Sequence, residues 1–457
     1  MSNYLQHPSS FRDPSGFIFQ SHQQVYRQVN QSYAANYERL MQSGLYKSLT
    51  ASQRLIPHAE LNENLTGVPD WYKTLLPEQV PFISYPYEWC FEQMKDAALL
   101  VLDIVRESLR HDLILKDATP FNVQFHKGKP IWIDTLSFEP YEANKPWVAY
   151  RQFCECFLFP LYLGHYLKAD IQKTLSTYLE GIPASLTGKL LPVRSGLSLG
   201  VWLHVYLQGA VKSNHTAVAP QGGFNRKKLL NLITHLETII GGFRGRKSGT
   251  TWSDYYDNTI ISQQYLVEKE KLFRQMLSGI EYDTALDAGT NDGHFAKIMA
   301  EDPAKNIVAL DSDAASINRL YRHVKMNGVT NLLPLQVDIT QPSPALGYRN
   351  KERAAFFDRV QTRLVTALAL IHHLVYGKNI PLASLAGFFA DITGKYLLIE
   401  FVPPTDPKVL IISRNRTATH RYDAETFEQS FGRLFTILHK NTVPGTERVL
   451  YLMEKKV

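Results

Sequence analysis

Residues 282–296 read YDTALDAGTNDGHFA: a short apolar run from Thr284 to Leu286, an acid at Asp287, and glycines at positions 289 and 293. An apolar strand ending in a glycine turn that feeds a helix is a building unit of an open α/β sheet, and such turns lie at the carboxyl edge where these sheets bind ligands. The dinucleotide fingerprint needs glycine at its first, third and sixth positions. Here Asn291 and His294 occupy the third and sixth, so that fingerprint fails. The lysine followed by Ser or Thr that a phosphate-cradling loop requires is also missing from the turn. Its carboxylates, Asp287 and Asp292, would instead repel phosphate and suit a ligand carrying positive charge.

Downstream of the turn, the next apolar run, Asn306 to Leu310, ends in Asp311, 22 residues beyond Gly289. An acid there is placed to accept ribose hydroxyls. A third run ends in Val337-Asp338-Ile339, where a side chain could read an adenine amino group. Asn291, Ser312 and Ile339 flank these positions and join them as candidate ligand residues. Three successive strands ending in Asp point to S-adenosylmethionine, which carries a sulfonium and an ammonium but no phosphate. Single helical stretches separate the runs, from about Ser262 to Leu277, from His294, and through Arg322, before LVTALAL and YLLIEF follow. That alternation implies a parallel, doubly wound sheet.

TALDAGTNDGHFAKI, IVALDSDAASI, NGVTNLLPLQVDI and ALALIHHL resemble, in order and spacing, successive motifs of the class I S-adenosylmethionine-dependent methyltransferases. The resemblance runs from about Tyr265 to the C-terminus. It implies a Rossmann-like fold in which Gly289 and Gly293 let the chain approach the methionine part, Asp287 lies near its amino group, Asp311 binds the ribose and Asp338 the adenine. WSDYYDNTIISQQYLVEKEKLF and LIEFVPP also resemble a bacterial group of methyltransferases and nodulation host-specificity proteins. The fourth strand, about Leu364 to Leu370, runs into His372 and His373. One of these is the candidate general base or substrate orienter; the alternative is that they cap the next helix or pack beneath the site. Glu400, ending the fifth strand, is a weaker candidate. No Asn- or Asp-Pro-Pro-aromatic turn follows the fourth strand, which favours an oxygen or carbon acceptor over an amino group. The acceptor, small molecule or macromolecule, is not specified by these residues.

The N-terminal half differs in texture. Within LILKDATPFNVQFHKGKPIWIDTLSFE, Asp117 is followed by Asn122, then by a hairpin around HKGK, then by Asp134. This spacing resembles the catalytic and metal-binding loops of the protein-kinase and aminoglycoside-phosphotransferase superfamily. The pattern is degenerate: Lys116 precedes the first Asp, Thr135-Leu136 replaces Phe-Gly, no glycine-rich loop is present, and Arg27 stands where a strand lysine would. Three readings stay open: a phosphotransferase, a kinase-like scaffold that binds without catalysis, and a purely structural hairpin.

The chain of 457 residues exceeds one ordinary core. GGFRGRKSGTT, Gly241 to Thr251, marks a linker, giving an N-terminal α+β, kinase-like domain over 1–245 and a methyltransferase domain over 246–457. A 44% hydrophobic and 20% charged composition is that of a globular protein. The net charge of +6 is spread without a long basic run, so nucleic acid is not indicated as a partner. Cys90, Cys154 and Cys156 are too few and wrongly spaced for a zinc site or disulfide framework, so no metal is expected and a reducing cytoplasm is. The most apolar stretches, CECFLFPLYLGHYL and LSLGVWLHVYLQGAV, are interrupted by Pro, Gly and His and are expected to be buried helices rather than membrane spans.

Overall fold

The computed structural model describes residues 4–208, 225–246, 263–360, 362–413 and 419–456. The chain divides into two units. One comprises Met1–Lys247 with Ser343–Ala354, the other Ser248–Pro342 with Ala355–Val457. The second half of the expected linker, from residue 247, and the WSDYYDNTII part of the segment before the first strand lie outside the described residues.

In the first unit, strands β1 (Leu5–Gln6), β2 (Gly16–Ser21), β3 (Gln24–Asn30), β4 (His58–Leu61) and β5 (Trp71–Pro77) form an antiparallel sheet in the order β1-β2-β3-β5-β4. The amphipathic stretch after β3 becomes two helices, Ala34–Gln42 and Leu45–Ala51, broken at Gly44, whose φ of 81° only glycine adopts cheaply. A long helix, Phe91–Arg110, presents Met94, Ala97, Val101, Ile104 and Val105 to the core at helical spacing. After β6 (Leu113–Leu115) comes the expected hairpin, β7 (Val123–His126) with β8 (Lys129–Trp132), and then β9 (Phe138–Pro140), which pairs with β6. The hairpin's two-residue turn, Lys127-Gly128, has positive φ at both positions (50° and 74°), which matches the strand twist.

The Ser343–Ala354 excursion belongs to this unit. Ser343 donates to Glu88 (2.5 Å), Glu352 pairs with Arg12 (2.6 Å), and the Arg353 guanidinium lies 4.2 Å from the Phe121 ring centroid. Of the two strongly apolar stretches, the first is buried from Cys156 to Gly164, as expected. The second is not. Leu197, Leu199, Trp202 and Leu207 face outward, because among its described residues only Gly200, Val201, His204 and Val205 turn to the core; residues 209–211 lie outside the described residues.

The second unit is the expected doubly wound sheet: β10 (Thr284–Ala288), β11 (Asn306–Asp311), β12 (Leu332–Gln336), β13 (Thr362–Ala367), β14 (Thr393–Phe401), β15 (Phe435–Thr442) and β16 (Val449–Lys455). Their order is β12-β11-β10-β13-β14-β16-β15; β10 to β14 are parallel and β16 is antiparallel to both neighbours. The chain steps outward from β10 to β12 and then returns to β13. The β10/β13 boundary is therefore the switch point, where the loops diverge and leave a crevice. Two strand ends differ from expectation. β12 stops at Gln336, leaving Asp338 in the following loop, and β13 stops at Ala367, so both histidines lie in the Ile371–Lys378 helix.

Candidate functional site

A cleft of about 510 Å³ opens at the carboxyl ends of β10 to β13. Its lining includes six of the eight candidate ligand residues, Gly289, Asn291, Asp311, Ser312, Asp338 and Ile339, together with His373.

Asp311 is fixed from two sides. Its Oδ2 accepts the backbone N–H of Asn291 (2.8 Å) and its Oδ1 that of Asp313 (2.8 Å). Asn291 presents its N–H because it sits in the left-handed region (φ 53°), and its own Oδ1 accepts from Ser316 Oγ (2.9 Å). The N–H groups of Gly289 and Thr290 both reach Leu310 O (2.9 and 2.8 Å), which binds the glycine turn to the end of β11. Burial raises the Asp311 carboxyl to about 6, against the two backbone N–H bonds and with help from the charges of Asp313 and Asp287. Gly289 borders the cleft with φ 75°, and a Cβ there would come within 2.9 Å of Leu370.

Two residues of the glycine turn lie off the cleft lining. Asp287 does not line the cleft: it is 3% exposed, and its oxygens accept from Thr290 Oγ1 (2.6 Å) and Thr366 Oγ1 (2.5 Å). It joins β10 to β13 beneath the turn. Gly293 also lies off the cleft. A Cβ there would meet the Leu320 side chain at 2.4 Å, so this glycine lets the His294–Met299 helix pack against the Ala314–Asn327 helix.

Asp338 lines the cleft, with Oδ1 taken by Thr340 N (2.9 Å) and Thr340 Oγ1 (2.7 Å) and Oδ2 3.9 Å from Lys378 Nζ. The two histidines separate. His373 borders the cleft, whereas His372 is fully buried and, among the described residues, neither of its ring nitrogens has a hydrogen-bond partner. Burial and the cations Lys408 and Arg448 push the His373 ring down to about 4; burial and then the neighbouring His373 also lower His372, well below its usual value. Both rings are neutral at pH 7.

Glu400, the weaker candidate, is also absent from the cleft lining. It is wholly buried and bonded to Lys269 Nζ (2.5 Å) and Tyr265 Oη (2.8 Å), with the Arg448 guanidinium 3.7 Å away. Arg448 in turn grips Asp406 through two nitrogens (2.7 and 3.0 Å). Burial opposes charge on Glu400, but these cations hold its carboxyl below the usual range. Beside this network, a second cavity of about 540 Å³ is lined by Tyr265, Lys408 and Arg448. Lys408 lies one helical turn before Ile412, which borders the cleft, so one face of the Pro407–Ser413 helix serves both spaces. Burial and the Arg448 charge lower the Lys408 amine to about 8. Sequence reasoning did not select Lys408, Lys378, Thr340 or Ile412; no motif marks them.

In the first unit, Asp117, Asn122 and Asp134 are neighbours. Asn122 Nδ2 donates to Asp117 Oδ2 (3.0 Å), and Asp117 is raised first by burial and then by the nearby charge of Asp134. Asp134 is itself occupied: Arg27 pairs with Oδ1 (2.5 Å), Leu136 N donates to the same oxygen (3.2 Å), and Ser137 Oγ donates to Oδ2. Among the described residues no group of three His, Cys, Asp or Glu side chains is arranged to hold a metal ion.

The chain is similar to a nodulation protein over nearly its whole length. That protein is NoeA of Rhizobium meliloti (strain 1021), 29% identical over 463 residues, which are 98% of this chain and 95% of the relative. No family model matches. Among solved structures, the N-methyltransferase NodS from Bradyrhizobium japonicum WM9 is 12% identical with a TM-score of 0.33, covering 43% of this chain and 99% of that one. Magnesium protoporphyrin IX methyltransferase (ChlM) from Synechocystis PCC 6803 is 10% identical with a TM-score of 0.32, covering 45% of this chain and 93% of that one.

Proposed function

We propose that the second unit binds S-adenosylmethionine in the cleft and transfers its methyl group to an acceptor. The observation that carries this reading is the carboxylate of Asp311, held by two backbone N–H groups at the switch point of a parallel sheet whose glycine turn lacks phosphate-binding features. The lining fits the cofactor. Each Asp311 oxygen has a further lone pair for a ribose hydroxyl, Asp338 Oδ2 can take an adenine amino proton alongside Lys378, and Gly289 leaves room beside Leu370 for the methionine part. When bound, S-adenosylmethionine supplies a methyl group on a cationic sulfonium.

Transfer is then mainly a matter of alignment and water exclusion. His373, neutral and weakly basic, orients an acceptor by hydrogen bonding better than it removes a proton. Lys408, lowered to about 8, is the stronger base nearby, on the same helix as the cleft residue Ile412. An oxygen or carbon acceptor is favoured by the absence of an amino-group methyltransferase turn after β13. The test is titration calorimetry of the full chain with S-adenosylmethionine, followed by labelled cofactor with fractionated cell extract. No binding would overturn the reading.

We infer further that the first unit is a kinase-like scaffold rather than a working phosphotransferase. The gathering of Asp117, Asn122 and Asp134 supports the likeness; the Arg27 and Ser137 bonds to Asp134 oppose catalysis, because a magnesium ion would have to displace them. Binding of ATP with magnesium that disappears in Asp134→Ala would restore the phosphotransferase reading.

A further inference from the structure

The apolar stretch expected to be buried and found at the surface is the most exposed apolar region among the described residues. Of 22 large hydrophobic side chains that are well exposed, eight fall between Leu190 and Leu207. Val193 is 95% exposed, Leu197 92%, Leu199 67% and Trp202 51%. Contiguous apolar patches of this kind mark interaction surfaces on otherwise polar proteins.

These residues come from elements that pack on one another. The Ala184–Leu190 helix packs on the Trp202–Tyr206 turn, and Gly188 is there because a Cβ would crowd the Tyr206 ring at 3.2 Å. Leu190 and Tyr206 therefore border the same seam, with Val193, Leu197 and Leu199 on the intervening chain. The backbone beneath is anchored by Ser195, Gly200, Val201 and His204, all buried. His204 is tied through its ring to Tyr150 Oη (2.6 Å) and His235 (3.3 Å). The apolar side chains are thus held outward by a fixed frame.

Charge and residue type indicate what covers them. From Gly181 to Gln208 the chain has two charged side chains, Lys189 and Arg194, both cationic and both exposed, and no acid. Two exposed cations among exposed Leu, Val, Trp and Tyr match a face lying in the headgroup layer of an anionic bilayer. Trp and Tyr are the side chains most at home at that depth. No helix among the described residues is long and apolar enough to cross a membrane, so the contact would be peripheral.

We propose that the Leu190–Leu207 face docks the first unit onto an anionic phospholipid bilayer. The test is flotation of the full chain with vesicles of phosphatidylcholine alone and of phosphatidylcholine with roughly 30% phosphatidylglycerol, a membrane-like fraction of charge. Binding at least about tenfold tighter to the anionic vesicles, weakening with salt, is expected. Val193→Asp with Leu197→Asp should abolish it while leaving the circular dichroism spectrum unchanged, since both side chains are almost fully exposed. Absence of binding, equal binding to both vesicle types, or retention in the folded double variant would overturn the proposal. So would self-association without lipid that the double variant abolishes, since the face would then join two copies of the chain.

Discussion

The backbone N–H of Asn291 donates to Asp311 Oδ2 at 2.8 Å, so the acid ending the second strand is held by the glycine turn ending the first. The carboxylate is in place before any ligand arrives. Asp311→Ala should therefore weaken S-adenosylmethionine binding by two to four orders of magnitude, from loss of two charge-assisted bonds worth about 1.5 to 3 kcal/mol each. Calorimetry reads this directly. A change under about threefold would remove Asp311 from the ribose site.

Binding should also depend on pH through the same group. Burial puts the free protein's Asp311 near 6, and the ligand needs the ionised form. Affinity should be level above about pH 7 and fall by about tenfold per unit well below 6, because protonation then competes with binding. A flat profile between about pH 5 and 8 would contradict this.

The two histidines should respond oppositely. His373→Ala should lower methyl transfer more than it lowers cofactor affinity, since the ring borders the cleft but is not one of the carboxylates proposed to hold the cofactor. His372→Leu should leave transfer nearly intact and be neutral or stabilising by about 1 to 3 kcal/mol, because the buried imidazole has no hydrogen-bond partner among the described residues. Equal loss of activity in both variants would merge their roles.

Glu400→Ala should destabilise the second unit by about 3 to 5 kcal/mol, leaving Lys269 and Arg448 buried with less compensation. Urea unfolding followed by a probe in that unit measures it. A loss below about 1 kcal/mol would show the network to be unimportant for stability.

Acid should unfold both units from the histidine side. His58 and His204 in the first unit and His373 in the second are lowered to about 4, chiefly by burial. The unfolded chain, with histidines near 6.5, then binds more protons than the native one as pH falls from about 6.5 toward 4, so stability is full above 6.5 and declines across that window. Denaturation midpoints that do not move between about pH 7 and 5 would show that these rings are already charged in the native state.

Much of the second unit was legible because parallel strands buried on both faces read as plain apolar runs, and acids at their ends stand out against them. What a local pattern could not reveal was which way each residue near the turn faces. Asp287 and Asp311 look alike in sequence, yet one is bonded to Thr366, 79 residues away, and the other borders the cleft. Gly293 looked like a ligand glycine, but its need for space comes from Leu320. The Glu400 network draws partners from 131 residues upstream, at Lys269, and 48 downstream, at Arg448. The outward face of LSLGVWLHVYL was missed because its apolar content suggested a core, while its exposure is decided by which few of its residues pack.

The Ser343–Ala354 excursion means that the protein is not modular in the way a two-domain enzyme usually is. A gene fragment starting at residue 246 would carry these twelve residues without Glu88, Arg12 and Phe121, and a fragment ending at 245 would lack the segment that covers those groups. Cutting the chain once cannot separate the halves cleanly, so the smallest faithful reagent for either unit is the whole polypeptide.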